Sequence, residues 1–161
     1  MMSNFSSWPS FSKQEIDAVG DVLSSNRVNY WTGSECRNFE LEFAQLCNTS
    51  HAVSLANGTL ALDLALKALD IKHGDEVIVT SRTFIASVSS IFNVGAGAVF
   101  ADIDLHSQNI TPESVRNQIT KNTKAIICVH LAGWPCEMDE MIDIADEFDL
   151  YLIEDCSQAH G

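Results

Sequence analysis

The spacing of apolar residues along the chain changes near position 50. Before that point, apolar side chains recur every three or four residues, which predicts two amphipathic helices. The first begins at a capping box in which Ser12 precedes Glu15 by three positions. The apolar faces consist of Ile16, Val19 and Leu23 in the first helix and of Phe39, Phe43 and Leu46 in the second. Residues 1–50 are therefore expected to form an N-terminal helical segment.

After position 50, short continuous apolar runs alternate with helical segments. The predicted strands are residues 51–56, 76–80, 98–103, 124–131 and 151–155, and the predicted helices are residues 60–69, 85–93, a segment beginning at Thr111, and residues 138–148. This order predicts an α/β fold, in which helices cross over between the strands of a parallel-rich sheet and flank it. The strands are apolar throughout, as expected when both faces of a sheet are buried. Residues 51–161 are expected to form this α/β domain.

Ligands of an open parallel sheet bind outside the carboxyl ends of its strands. The loops that leave these ends are residues 57–59, 81–84, 102–104, 133–135 and 155–158. Gly58 and Thr59 open a helix directly after a predicted strand, so that backbone amides, the helix dipole and a hydroxyl favour a bound phosphate. An ordinary strand-to-helix turn with a threonine cap is the alternative interpretation.

Two other side chains in these loops are candidates for contact with a planar cofactor. Asp155 closes the last predicted strand, where a carboxylate can hold a protonated ring nitrogen and strengthen the ring as an electron sink. Phe84 lies in the loop after the second predicted strand, where its ring can stack on a cofactor. Taken alone, each residue has a more common explanation: a solvated acid at a strand end, and a core residue that anchors a helix.

Charge and cysteine content narrow the classes of function. The net charge of −13, from 22 acidic and 9 basic residues, argues against nucleic-acid partners and against anionic membrane surfaces. The amino terminus lacks a basic stretch followed by an apolar core, and no apolar run is long enough to span a bilayer. Five irregularly spaced cysteines without a CxxC pair fit reduced thiols, so we expect a cytoplasmic protein.

Several motifs of other enzyme classes are missing. The glycine-rich residues 95–98 follow a predicted helix and precede a strand, which is the reverse of a dinucleotide fingerprint. No recognised zinc-ligand spacing links His130, Cys136, Cys156 and His160, so hydrogen-bonded or core roles are expected for them, and no metal site is predicted.

Six short strings occur in the order and at the spacing of one protein family. They are NGTLAL from Asn57, GDEVI from Gly74, TFIAS from Thr83, DID from Asp102, VHLAGWP from Val129 and IEDCSQAHG from Ile153. The chain resembles the DegT/DnrJ/StrS family of pyridoxal 5'-phosphate (PLP)-dependent sugar aminotransferases. The resemblance implies a partial large domain of the aspartate aminotransferase (fold type I) superfamily, with PLP as cofactor.

The same resemblance implies a role for each residue at the strand ends. Gly58 and Thr59 match the phosphate-binding turn of the family, and Phe84 matches the aromatic residue that stacks on the cofactor ring. Asp155 matches the acid that pairs with the pyridine nitrogen, and Gln158 matches the residue beside the ring hydroxyl.

The resemblance implies less about the substrate side and the catalytic lysine. Trp31, Thr32 and Gly33 match, more loosely, a loop near the nucleotide-sugar site. Family members carry the Schiff-base lysine downstream of the Asp-x-x-Gln segment, whereas this chain ends at Gly161. We therefore expect an N-terminal fragment without a catalytic residue, inactive alone, that lacks the rest of the large domain and the small C-terminal domain. The full-length protein is expected to be a homodimer.

The implied reaction is transfer of an amino group from an amino acid, glutamate, to a keto-sugar on a nucleotide carrier. The expected pathways make surface polysaccharides such as lipopolysaccharide, or deoxyamino sugars. Two alternatives stay open: a PLP-dependent sugar dehydratase of the same family, in which histidine replaces the lysine, and a non-catalytic remnant.

Overall fold

The computed structural model describes residues 9–160, which belong to two compact units, the first ending at Ser54 and the second beginning at Leu55. Residues 1–8, where no secretory signal is predicted, lie outside the described residues, as does Gly161, the last residue of the family-like strings. Within residues 9–160, none of the helices combines the length and the hydropathy that a membrane span requires.

The first unit contains the two predicted helices, α1 (Lys13–Ser24) and α2 (Glu35–Leu46). The capping box before α1 is confirmed. The Ser12 hydroxyl accepts the Glu15 amide at 3.2 Å, and the Glu15 carboxylate accepts the Ser12 amide at 2.5 Å. On α2, one carboxylate oxygen of Glu40 accepts both the backbone amide and the hydroxyl of Ser54, at 2.8 and 2.9 Å. This carboxylate therefore ties the end of the unit to its second helix.

The prediction of a buried strand at residues 51–56 is wrong. The segment has no ladder partner among residues 9–160, and the side chain of Val53 is 71% exposed. A strand exists only when its backbone groups pair with a neighbour. Here the amide of Ser54 instead donates to the side chain of Glu40. An apolar run alone does not specify such a neighbour.

The second unit is an α/β structure whose four described strands are all parallel, in the order β2-β1-β3-β4. Its elements are α3 (Gly58–Ala68), β1 (Glu76–Thr80), α4 (Ala86–Asn93), β2 (Gly97–Ala101), α5 (Pro112–Gln118), β3 (Thr123–Val129), a 3-10 turn (Leu131–Gly133), α6 (Met138–Phe148) and β4 (Tyr151–Asp155). The predicted fold class is confirmed. The predicted cap of α5 is also present, because the Thr111 hydroxyl accepts an amide from the first turn.

Two hydrophobic clusters form the core, one on each face of the sheet. Successive residues of a strand point to opposite faces. Ile127 therefore packs with Leu66 of α3 and Ile91 of α4, whereas Ile126 packs with Ile144 of α6. Both faces are thus covered by helices, which leaves the carboxyl ends of the strands for ligands.

We expect Ile144→Ala to lower the free energy of unfolding by about 2–5 kcal/mol, the range for truncating a buried isoleucine. Ile142 lies on the same helix, and the two side chains are 1% and 47% exposed, respectively. Ile142→Ala should cost less than about 1 kcal/mol, because the lost burial is partial and alanine favours helix. Urea unfolding measures the free energy of unfolding of both variants. Equal losses of stability would contradict the observed packing of α6 on the sheet.

A second prediction concerns pH. The backbone amide and the hydroxyl of Ser54 hold the pKa of Glu40 below its ordinary value of 4.5. A depressed folded-state pKa stabilises the fold above the unfolded pKa, and this contribution disappears as the pH falls through the folded value. In an NMR titration, the Glu40 carboxyl should titrate below 4.5 and move toward 4.5 in Ser54→Ala. An unchanged midpoint in the variant would count against the hydroxyl contact.

Candidate cofactor-binding site

A pocket of about 330 Å³ lies at the carboxyl ends of β1, β3 and β4. It brings together the five residues predicted for the cofactor: Gly58, Thr59, Phe84, Asp155 and Gln158. Leu62, Val129 and Leu131 supply apolar wall between them. Residues that are up to 100 positions apart in the sequence thus border one small cavity.

One end of the pocket is the amino terminus of α3. The side chain of Asn57 caps this helix by accepting the amide of Leu60 at 3.0 Å. The first amides of a helix have no intrahelical acceptor, so those of Gly58 and Thr59 remain as donors. The helix dipole adds partial positive charge at the same place. This end of the pocket therefore has the chemistry of a phosphate site.

Gly58 lies close to Ser157, a residue of the loop that follows β4. A methyl group at this position would lie 3.1 Å from the hydroxyl oxygen of Ser157. That hydroxyl in turn donates to the carboxylate of Asp155 at 2.6 Å. Only one serine side chain thus separates the end of α3 from the acid, so a single small molecule can contact both.

The carboxylate of Asp155 is held by three hydrogen bonds. One oxygen accepts the buried hydroxyl of Ser87 at 2.9 Å, and the other accepts the hydroxyl and the backbone amide of Ser157, at 2.6 and 3.1 Å. The Ser87 hydroxyl also forms a 2.8 Å hydrogen bond with that of Thr83. Sequence reasoning gave no role to these three residues. The one signal in the sequence was the position of Ser87, because a polar residue in an apolar stretch of a helix indicates a buried hydrogen-bonding partner.

Asp155 is 9% exposed, and within residues 9–160 no lysine, arginine or histidine forms an ion pair with it. Burying a carboxylate is costly unless it is both hydrogen-bonded and paired with a positive charge. The serine donors supply the first requirement, and nothing in the described chain supplies the second. The pocket side of Asp155 therefore suits a cationic ligand group.

Gln158 and Phe84 complete the pocket. The side-chain oxygen of Gln158 accepts the amide of Ala132 at 2.7 Å, which leaves its NH₂ group as a donor. Ala132 adopts a left-handed conformation, with φ of 55°, in the 3-10 turn after β3. The side chain of Phe84 is exposed at the mouth of the pocket. A planar ligand can therefore meet an amide donor and an aromatic face here.

The residues predicted for the substrate loop belong to the first unit. The side-chain oxygen of Asn29 accepts the amides of Trp31 and Thr32 at 3.0 and 3.1 Å and so forms a turn before α2. Gly33 fits against the backbone, because an added methyl group would lie 2.4 Å from the carbonyl of Arg27. These contacts explain the glycine, and the role of the loop in substrate binding stays a prediction.

His130, Glu154 and Cys156 have potential metal-ligand atoms within 4.8 Å of one another. However, Nδ1 of His130 accepts the amide of Cys136 at 3.0 Å, so the proton of a neutral ring lies on Nε2, which is 2.9 Å from Glu154. A metal-bound histidine normally donates from its second nitrogen, and Nδ1 is an acceptor here. The geometry is that of a hydrogen-bonded histidine.

The chain has the fold of part of known aminotransferases. The chain superposes on the crystal structure of the aminotransferase from Psychrobacter cryohalolentis with a TM-score of 0.96 and 62% identity, over 98% of this chain and 40% of that one. Residues 9–161 match the DegT/DnrJ/EryC1/StrS aminotransferase family, and the chain belongs to this family. Membership in an aminotransferase family implies PLP as the cofactor.

Two other relatives are informative. The GDP-perosamine synthase of Vibrio cholerae is 42% identical over 153 residues, which are 95% of this chain and 41% of that enzyme. A putative sugar aminotransferase from Streptococcus pneumoniae, solved in a PLP form, matches with a TM-score of 0.86 and 30% identity, over 95% of this chain and 42% of that one. The chain thus spans about two-fifths of the length of the proteins that it matches.

The serine support of Asp155 is testable by a matched pair on α4. Ser87→Ala removes a buried donor from a carboxylate, so the free energy of unfolding should fall by about 1–3 kcal/mol. Ser89→Ala makes the same change two residues away, at a hydroxyl with no described hydrogen bond, and should stay within about 0.5 kcal/mol. Urea unfolding distinguishes them, and equal stabilities would exclude a structural role for the Ser87 bond.

Proposed function

We propose that this chain binds PLP in the pocket between α3 and β4 and is the cofactor-binding part of an enzyme that aminates a nucleotide-linked keto-sugar. The observation that carries the proposal is the carboxylate of Asp155, which is buried and has no cationic partner in the described chain. It shares its pocket with the amino terminus of α3, whose free amides suit a phosphate. Membership in an aminotransferase family supports the same assignment.

Each polar feature of PLP has a suitable residue in the pocket. The amides of Gly58 and Thr59, with the Thr59 hydroxyl, would hold the phosphate. Asp155 would pair with the protonated ring nitrogen, and the NH₂ group of Gln158 would donate to the ring hydroxyl. Phe84 would stack on one face of the ring. The donor set and the carboxylate therefore fit this cofactor.

When bound, PLP supplies an electron sink for moving an amino group between carbon skeletons. The chain's own contribution is to orient and tune the ring. Asp155 keeps a proton on the ring nitrogen, and Ser87 and Ser157 fix the plane of its carboxylate. Phe84 shields one ring face from water.

The proposed substrate is inferred from the names of related enzymes. The name of the Vibrio cholerae relative contains a GDP-linked amino sugar, which supports a nucleotide-linked substrate. We propose glutamate as amino donor, a role in surface-polysaccharide or deoxyamino-sugar synthesis, a cytoplasmic location and a homodimeric full-length protein.

Residues 51–161 would be the partial PLP-binding domain. Residues 1–50 would be a helical segment whose loop at Trp31, Thr32 and Gly33 contacts the sugar nucleotide.

The test is retention of PLP by the Asp155→Asn variant. The substitution preserves the size of the side chain but removes the charge that would pair with the ring nitrogen. A hydrogen bond to a charged group contributes about 1.5–3 kcal/mol, so the affinity for PLP should fall at least about tenfold. Bound PLP is measured by absorbance after equilibrium dialysis.

Asp146→Asn on α6 is the matched control, since this acid is exposed and does not line the pocket. It should retain PLP as the unmodified protein does. Equal retention by the two variants would remove Asp155 from the proposed role.

A further inference from the structure

A second groove, of about 610 Å³, adjoins the cofactor pocket in the second unit. Its walls come from the loops that follow β1, β2 and β3, and Leu131 lines both cavities. Arg82, His106 and Trp134 are the residues of the groove that suit an anionic, aromatic ligand. A ligand that occupies this groove can therefore extend past Leu131 toward the cofactor pocket.

Trp134 presents a large aromatic ring that is 64% exposed, yet its backbone is fixed. The buried side chain of Asn109 donates to the Trp134 carbonyl at 2.8 Å, and the amide of Cys136 donates to His130 at 3.0 Å. A fixed, exposed ring of this kind is suited to stack on a nucleobase.

Arg82 supplies positive charge to the same groove. Within residues 9–160 its guanidinium forms no ion pair, although the chain carries a net charge of −13. The acids Asp104 and Glu137 also line the groove, but neither forms an ion pair with Arg82, and one oxygen of Asp104 accepts the amides of Ser107 and His106 at 2.8 and 2.9 Å. The hydrogen bond from Ser107 and then that from His106 lower the pKa of Asp104 and occupy one oxygen of its carboxylate. An arginine without a carboxylate partner suits a phosphate, which it can bind through two N–H groups.

We propose that this groove binds the nucleoside diphosphate part of the sugar nucleotide, with the base on Trp134 and the diphosphate at Arg82. The sugar would then pass Leu131 and enter the cofactor pocket. This assignment rests on the proposed function for its ligand class, while the groove itself is defined by residues outside the PLP site, apart from Leu131.

The experiment is calorimetric titration of the protein with GDP and with UDP, each without a sugar. Both should bind saturably. Trp134→Ala and Arg82→Gln should each weaken binding about tenfold, which corresponds to about 1.4 kcal/mol of lost stacking or phosphate contact. Phe92→Ala and Arg116→Gln are matched controls, because these exposed residues lie outside the groove. They should bind as the unmodified protein does, and circular dichroism checks that every variant is folded.

Failure to bind either nucleotide, or equal affinity in all four variants, would overturn the assignment. Inorganic pyrophosphate should bind more weakly than GDP and be insensitive to Trp134→Ala, and binding as tight as that of GDP would exclude stacking of the base. PLP retention is measured on the same samples. If the protein retains PLP but binds no nucleotide, the assignment of the groove is wrong and the proposed function stands. If it binds nucleotide but does not retain PLP, the proposed function is wrong and the groove remains a nucleotide site.

Discussion

The carboxylate of Asp155 is the group on which the candidate site depends. It stands at the end of β4, paired with Val129 of β3, and so lies within the sheet rather than in a free loop. Its charge is nearly buried, and the donors that make this tolerable come from α4 and from the loop after β4. The position of the acid is therefore set by the packing of α4 on the sheet as well as by the strand itself.

The alternation of side chains along β4 decides which of its acids faces the pocket. Ile153 and Asp155 face the side of the sheet covered by α3 and α4, whereas Leu152 and Glu154 face the side with α6, where Glu154 meets His130. A shift of one residue in β4 would exchange the two acids between these faces. The burial of Ile153 and Leu152 in different clusters fixes the register, so hydrophobic packing determines which carboxylate reaches the pocket.

These relations explain what the sequence predicted and what it did not. The bounds of β4 and α6 follow from an apolar run and from helical spacing. Phe84 and Asp155 can be placed together because the ends of parallel strands converge. The role of Gln158 comes from the family resemblance, and the sequence pattern assigns Gly58 and Thr59 to the end of a strand that does not form within residues 9–160. Residues 51–56 have an equally apolar pattern, but pairing depends on a neighbour that the pattern does not name. The bond from Ser87 to Asp155 spans 68 positions and therefore leaves no local signal.

The charge of the chain constrains how it binds anions. Both proposed ligands carry phosphate, whereas the chain carries a net charge of −13. At physiological ionic strength, fields between exposed charges decay over about 8 Å, so the repulsion from distant carboxylates is largely screened. Donors in direct contact with the ligand are not screened in this way. In the proposed sites these donors are the amides at the start of α3 and the guanidinium of Arg82, so the net negative charge of the chain is compatible with phosphate binding at this edge of the sheet.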